Sequence, residues 1–462
     1  MRQVNFRILL LMSWLALFSN SIKADLLSAT VNYHQANYSL AFEQFEQLAK
    51  LGNKDAIYNI AVMYLHGQGV DKSIIKAHSW FLLAADYGLA DAGEHAALIA
   101  SQVADKKALE SDYKALTKVH SYKVFFKQLL PIFDEAQKSQ QAPIREYTVD
   151  AQYPEQAYEK GLEGWVWLEF DIDVSGAVKD IEILDSYPNN TFNRAITNAV
   201  RRWQYKPFIE NGEAKTFYNR SLLYHFTTYK GKRYKQSFAK QQKQYQKKIN
   251  KLIEQAEQGN SLVQYYIANW LSADEHNATR LLKYHWHQDN AGSDLLLKSA
   301  SNGFANSQYR LGANLLNGEQ TQQDRKKGLN WILLAAQSGF APAQYRLGRE
   351  LLNRQHIEYD EIKAIGWLNT ASEQGYFRAI RDLTTLYLDK QNTSQEVVSL
   401  IEQGLEIDDS HPEVLLNSAK LSLLKKDLKS AKKIALSALN AAQSKGFSTV
   451  KVQQFITKLN KS

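Results

Sequence analysis

Three glycines, Gly303, Gly339 and Gly375, follow one another at an interval of 36 residues, and no other feature restricts the fold of this chain so strongly. Trp331 and Trp367 each stand eight residues ahead of their glycine. The stretch Asn302-Gly-Phe-Ala-Asn-Ser-Gln-Tyr-Arg-Leu-Gly312 returns as Ser338-Gly-Phe-Ala-Pro-Ala-Gln-Tyr-Arg-Leu-Gly348 with only a few changes. A period of this length marks a supersecondary unit that cannot bury its apolar face alone and must stack on copies of itself. Small residues recur where two antiparallel helices would approach, and aromatic and leucine residues fill the seam between them. The unit reads as helix, glycine turn, helix, and the array as a solenoid.

The same unit stands near the start. Residues 38–51 set Leu40, Phe42, Phe45 and Leu48 at helical spacing, and Gly52 ends them as a C-terminal cap. A helix pair follows around the turn Gly67-Gln-Gly69. Gly52 and Gly88 are again 36 residues apart, with Trp80 eight before Gly88. From Gly259 to Gly303 the interval is 44, so this repeat carries eight extra residues, placed between Ser272 and His287. These patterns assign repeats to 25–100 and 252–390, an amphipathic helical bridge to 101–142, and a capping set of helices to 391–462.

Between the arrays, over 143–229, the hydrophobic period changes from helical to strand-like. Val166, Leu168, Phe170 and Ile172 alternate with Trp165, Trp167, Glu169 and Asp171, the pattern of a strand with one buried face. Asp173-Val-Ser-Gly176 then forms a hairpin turn in which Gly176 takes positive φ, and the next strand sets Ile181 and Ile183 two apart. Pro154 and Gly161 bound a short helix. Phe192, Ala195, Ile196, Ala199, Val200 and Trp203 make one apolar helical face, and Pro207 prevents its continuation. Residues 217–228 supply a third strand, with Leu222, Tyr224 and Phe226 alternating with Leu223 and His225. The expected fold is mainly α, a helical-repeat solenoid with an inserted small α+β domain: a three-stranded antiparallel sheet with two helices on one face.

The residues of this insert also carry a family likeness. Gln152-Tyr-Pro154, Glu163-Gly164, Phe170-Asp171, Gly176-Ala-Val178, Ile183-Leu184 and Ala199-Val-Arg-Arg-Trp-Gln-Tyr-Lys-Pro207 resemble the TonB C-terminal domain over nearly all of 143–229. The repeat unit resembles the Sel-one-like repeat, most closely at 58–88, and 391–462 resembles a tetratricopeptide pair. The first resemblance implies a periplasmic domain that grips a short N-terminal segment of an outer-membrane transporter, by adding an extended peptide to the open edge of its sheet. It implies contacts at Gln152, Tyr153 and Pro154, and along the third strand at Arg220, Ser221, Leu222, Leu223, Tyr224, His225 and Phe226. Leu222, Tyr224 and Phe226 also suit the core, which leaves the strand's backbone edge as the functional surface. A second copy of the chain, paired through the same edge, is a competing partner.

Residues 1–24 have the form of a secretory signal peptide: Arg2 and Arg7, an apolar run over 8–18, and a short polar stretch ending at Ala24. That run would cover ~16 Å of a ~30 Å hydrocarbon core, so the chain is expected in the periplasm, with membrane association only if the leader stays uncleaved. An uncleaved leader would instead make an inner-membrane-anchored energy transducer facing the periplasm. With only seven prolines there is no long Pro-rich tether, and repeats flank the insert on both sides. The leading expectation is therefore an adaptor: the insert binds a segment of an envelope protein and the repeats scaffold other partners.

Several chemistries are set aside. The chain has no cysteine, which removes disulfides and thiol redox chemistry. The net charge of +8 is mild, and export disfavours nucleic acid as a partner. The basic run 230–251 reads as a linker helix with an apolar side at Phe238, Tyr245 and Ile249. His276, His285 and His287 lack the spacing of a metal site, and Gly67-Gln-Gly69 is too short for a phosphate loop. Asp171 and Asp173 flank a turn and are expected in solvent. No catalytic constellation stands out, so neither enzyme activity nor a cofactor is expected.

Overall fold

The computed structural model describes residues 24–132, 142–210, 212–227, 238–273, 277–318, 321–353 and 357–461. The leader, apart from its last residue, and the first part of the basic run lie outside them, as do the side chains of Phe238 and Tyr245.

The repeats fold as helix pairs, among them Lys54–His66 with Ile74–Asp86, Ala305–Asn317 with Arg325–Gln337, and Ala341–Asn353 with Glu361–Glu373. Local chemistry sets their ends. Asp324 and Asp360 each accept a backbone N–H bond at the start of a helix. At the far end Gly339 takes a φ of +88°, and the N–H of Phe340 reaches back to the Ala335 carbonyl at 3.0 Å. That bond satisfies a carbonyl the helix itself cannot pair. Inside one repeat Gly312 faces Gly328, and a Cβ on either would lie 2.8–2.9 Å from the other's carbonyl oxygen. The two helices therefore touch backbone to backbone. The eight extra residues of the 44-residue repeat coincide with an added helix, Asn277–His285.

The first repeats are not a separate arm. Leu26 N–H donates to the Ser338 carbonyl at 3.1 Å, Asn53 Nδ2 donates to Gln337 O at 3.2 Å, and Gln337 Nε2 donates to Gly52 O at 3.3 Å. The bridge, which includes helices Lys106–His120 and Tyr122–Gln128, ends against Trp367, whose Nε1 donates to Leu129 O at 2.8 Å. One apolar cluster accordingly runs from Phe45 and Trp80 through Phe125 to Leu347 and Trp367.

In the insert, β1 (Gly164–Ile172) is the central strand, flanked antiparallel by β2 (Val178–Tyr187) and β3 (Phe217–Phe226). The hairpin turn closes as expected: Asp173 Oδ1 accepts the N–H groups of Ser175 and Ala177, and Gly176 has φ +84°. Helices Glu155–Glu159 and Asn193–Val200 accompany the sheet. Val166, Leu168, Phe170 and Ile172 form its core with Ala157, Phe192, Ile196 and Val200. Trp203 lies beyond the helix end yet joins the same core, its Nε1 donating to Val149 O at 2.9 Å. Two short ladders, Arg145–Tyr147 with Gln204–Tyr205 and Phe208–Glu210 with Glu213–Lys215, add to the expected sheet.

Two expectations are corrected here. Every residue of β1 is buried, so the strand has two buried faces rather than one. Asp171, expected in solvent, is 3% exposed. The cause is the same for both: the repeat stack lays a second layer over the polar-looking face of the sheet.

Candidate functional site

Four helices supply that layer: α1 (Ser261–Leu271), α2 (Ala305–Asn317), α3 (Ala341–Asn353) and α4 (Phe377–Asp389). Alternate residues of β1 meet them in order. The Trp165 ring lies 5.8 Å from Tyr265 on α1, and the Trp167 ring lies 5.8 Å from Tyr309 on α2. Glu169 accepts from Tyr309 Oη at 2.8 Å and from Arg346 Nη1 of α3 at 3.4 Å. Asp171 pairs with Arg378 Nη2 of α4 at 2.6 Å. On β2, Asp180 pairs with Arg381 Nη1 at 2.8 Å. Tyr265, Tyr309, Tyr345 and Arg381 each stand six residues after the glycine of their repeat, so the cradle is itself periodic.

Burial pushes the Glu169 and Asp171 carboxyls up, opposed by Arg346 and Arg378 respectively. For Asp180 burial would raise the carboxyl too, but Arg381 and then His411 outweigh it and hold it below the usual range. Asp382 is brought down to about 2 by Arg381 and Arg349, again against burial. Buried ion pairs of this kind roughly break even against apolar residues of the same shape, whereas truncating a buried indole costs about 3–5 kcal/mol. Trp165 and Trp167 therefore hold the sheet on the solenoid, and the ion pairs decide which repeat each strand residue meets.

β3 pairs with β1 on one side and, among the described residues, with no strand on the other. Its side chains are largely engaged. Leu222, Tyr224 and Phe226 pack into the sheet's helix-side core. Toward the solenoid, Ser221 Oγ accepts from Trp167 Nε1 at 2.9 Å, Leu223 joins the large apolar cluster, and His225 Nε2 lies 3.2 Å from Ser272 Oγ. The Gln152–Pro154 segment crosses the far end of this strand. Tyr153 packs 5.7 Å from the Phe226 ring and bonds the Leu162 carbonyl, Gln152 is exposed, and Pro154 occupies the N-cap of Glu155–Glu159. The structure thus gathers Tyr153, Tyr224 and Phe226 at one end of β3 and leaves Arg220 at the other.

Beside residues 220–223 lies a cleft of about 200 Å³. Arg145 flanks it, and Arg310 and Asn314 of α2 line its solenoid side. Sequence reasoning missed all three. The available signal, for Arg310 alone, was the Tyr-Arg pair repeated at 309–310 and 345–346: an arginine kept from water needs a polar partner.

Elsewhere, His285 Nε2 pairs with Glu257 Oε1 at 2.8 Å, while His276 lies outside the described residues. Among the described residues no group of three or more His, Cys, Asp or Glu is arranged to hold a metal ion, and no helix is long and apolar enough to cross a membrane.

Residues 149–227 match the family described as Gram-negative bacterial TonB protein C-terminal, and 54–88, 305–340 and 341–376 each match the Sel1 repeat. Protein TonB of Escherichia coli is 43% identical over 56 residues, which are 12% of this chain and 23% of that protein. The chain spans about a quarter or less of the length of the curated relatives it matches. Among solved structures, the TonB2 protein of Vibrio anguillarum is 34% identical, covering 21% of this chain and 92% of that one with a TM-score of 0.16. A Sel1 repeat protein of Oxalobacter formigenes is 25% identical, covering 29% of this chain and 96% of that one with a TM-score of 0.26.

Proposed function

We propose that this chain, which carries a TonB C-terminal domain among Sel1 repeats, is a periplasmic adaptor that captures an extended segment of an envelope or outer-membrane protein as a fourth strand beside β3. The observation that carries this reading is the open side of β3, a ten-residue strand whose described neighbour is β1 alone. An unpaired edge presents alternating N–H and C=O groups, and main-chain bonds then supply affinity with little demand on sequence. The strand's own side chains fix it against the core and the solenoid, so the edge is offered rigidly. Gln152, Tyr153 and Pro154 would bound the site where Tyr153 meets Phe226. The chain's role is binding rather than catalysis. Because the insert covers α1 to α4, further partners of the repeats would use their other helices.

The test uses the full chain. Peptides of about ten residues from the N-terminal segments of outer-membrane transporters are titrated by calorimetry, each also in two versions N-methylated at alternate backbone nitrogens. Strand addition predicts that one methylated version loses at least about tenfold in affinity while the other keeps it, because alternate N–H groups face the edge. Equal retention in both versions would sink the reading. A dimer that the peptide cannot displace would assign the edge to a second copy of the chain.

A further inference from the structure

We infer that the C-terminal cap is a docking surface for an anionic lipid bilayer, with the lysines of one helix face and of the turn before it as the contact. This surface is separate from the open edge of β3 and gives the chain a second partner of a different class.

Charge is unevenly placed along the chain. Residues 412–461 hold ten lysines, no arginine and two acids, Glu413 and Asp427, so the cap carries the whole of the net +8 and the remainder of the chain is balanced. Five of these lysines, Lys425, Lys426, Lys429, Lys432 and Lys433, fall within one short stretch, and all five are exposed. Among the described residues no salt bridge engages them, whereas Lys420, Lys445 and Lys451 face Asp389, Asp408 and Glu413. The acid inside the stretch, Asp427, caps α5 (Leu428–Lys445) by accepting the Ser430 N–H at 3.0 Å, and it can offset only one of the five.

The helix sorts its residues by face. Ala431, Ala435, Ala438 and Ala442 are buried. Lys429, Lys433 and Leu436 follow one another at three- and four-residue steps on the opposite side, with Lys432 beside them. Like charges at this spacing repel and cost a helix stability, so the fold does not call for them. An anionic surface laid against the face would relieve that repulsion. Leu436, 54% exposed among these lysines, suits insertion at the boundary between headgroups and acyl chains.

The kind of cation favours a bilayer over an acidic protein. Where this protein fixes a carboxylate in place it uses arginine, as at Arg346, Arg378 and Arg381. A guanidinium fork matches a partner of defined geometry, whereas a lysine ammonium is a point charge on a flexible stem. Headgroups that diffuse within a bilayer present charge density without fixed geometry, and clustered lysines answer it. The cap is also tied to the sheet: Lys179 of β2 donates to the Gly446 carbonyl, and its Nζ lies 5.3 Å from the Phe447 ring. Docking through α5 would therefore set the orientation of the sheet relative to the bilayer.

In the experiment the full chain is sedimented with vesicles of phosphatidylethanolamine containing about a third phosphatidylglycerol, and with vesicles of phosphatidylcholine alone. At low salt the anionic vesicles are expected to bind at least about tenfold more tightly, with the preference shrinking several-fold as salt rises. Each lysine near such a surface contributes about fivefold, so the combined variant Lys425→Gln, Lys429→Gln, Lys432→Gln and Lys433→Gln should lose at least about tenfold. The same change at Lys240, Lys243, Lys247 and Lys248 of the basic run should lose less than about threefold. Leu436→Gln should lose about twofold or more on anionic vesicles. The leader is present in every variant, so differences between them report the lysines.

No preference for anionic vesicles overturns the inference. So does a cap variant that binds them as tightly as the parent chain, or whose loss is no larger than that of the basic-run variant. Binding to soluble polyglutamate without binding to anionic vesicles overturns it in favour of an acidic protein. In every case the N-methylated peptides decide strand addition separately.

Discussion

At the scale of single residues, Arg378 of α4 ties the central strand to the repeats through three contacts. Its Nη2 pairs with Asp171, its Nη1 donates to Asn219 Oδ1 at 3.3 Å, and its guanidinium lies 4.7 Å from the Tyr345 ring. Asn219 adopts φ +55° and donates its N–H to the same carboxylate oxygen, Asp171 Oδ1, at 2.9 Å. Arg378→Ala would strand Asp171 in the interior without a counter-charge, at a cost of about 3–5 kcal/mol. Replacing both partners, as Arg378→Met with Asp171→Leu, should restore most of that loss. Thermal unfolding of the three chains tests the argument, and a single-variant loss under about 1 kcal/mol would contradict it. The sequence could not reveal this pair. An acid alternating with apolar residues on a strand has the same pattern whether it faces water or an arginine far along the chain, and elementary periodicity favours water.

At the scale of elements, the strongest constraint is the contact between the helices of one repeat. On Gly312 a methyl group would sit 2.8 Å from both the Gly328 carbonyl oxygen and Ile332 Cγ1, so the helices must part to accept it. Gly312→Ala should cost about 1–3 kcal/mol as an overpacked site. Repeats couple mainly to their neighbours, so hydrogen exchange should accelerate across 305–337 while 412–461 keep their protection. A uniform loss over the chain would refute a local effect. These elements were legible beforehand because their signals are local. The 36-residue interval, the Asp173–Gly176 turn and the alternation along β1 and β3 each lie within one stretch of sequence. What pairs a strand with a helix is a property of surfaces that meet only after both have formed. For that reason the place of β3 beside β1 was readable, but the approach of Arg310 and Asn314 to it was not.

At the scale of the whole molecule, the insert and the repeats are held together chiefly by two indoles. Trp165 and Trp167 are at most 1% exposed and lie against Tyr265, Tyr309 and Phe340. Replacing both with alanine removes the dominant apolar contact and leaves the helix-side core of Val166, Leu168 and Phe170 intact. The insert should then stay folded but separate from its cradle. Small-angle scattering would register a larger radius of gyration, and calorimetry a second transition. An unchanged radius with one transition would show that the ion pairs suffice.

The match between β1 and its four helices also counts. Two residues of strand advance about 6.6 Å, whereas packed helices stand about 8–10 Å apart, and the long side chains of tryptophan, tyrosine and arginine cover the difference. Each two-residue step is thereby indexed to one repeat: two aromatic steps, then two acidic ones. Deleting a single 36-residue unit would set Glu169 or Asp171 opposite the wrong helix, and inserting one would do the same in the other direction. Helical-repeat arrays ordinarily lengthen and shorten by whole units with little penalty. Here a nine-residue strand acts as a tally stick, and the number of repeats beneath it is no longer free to drift.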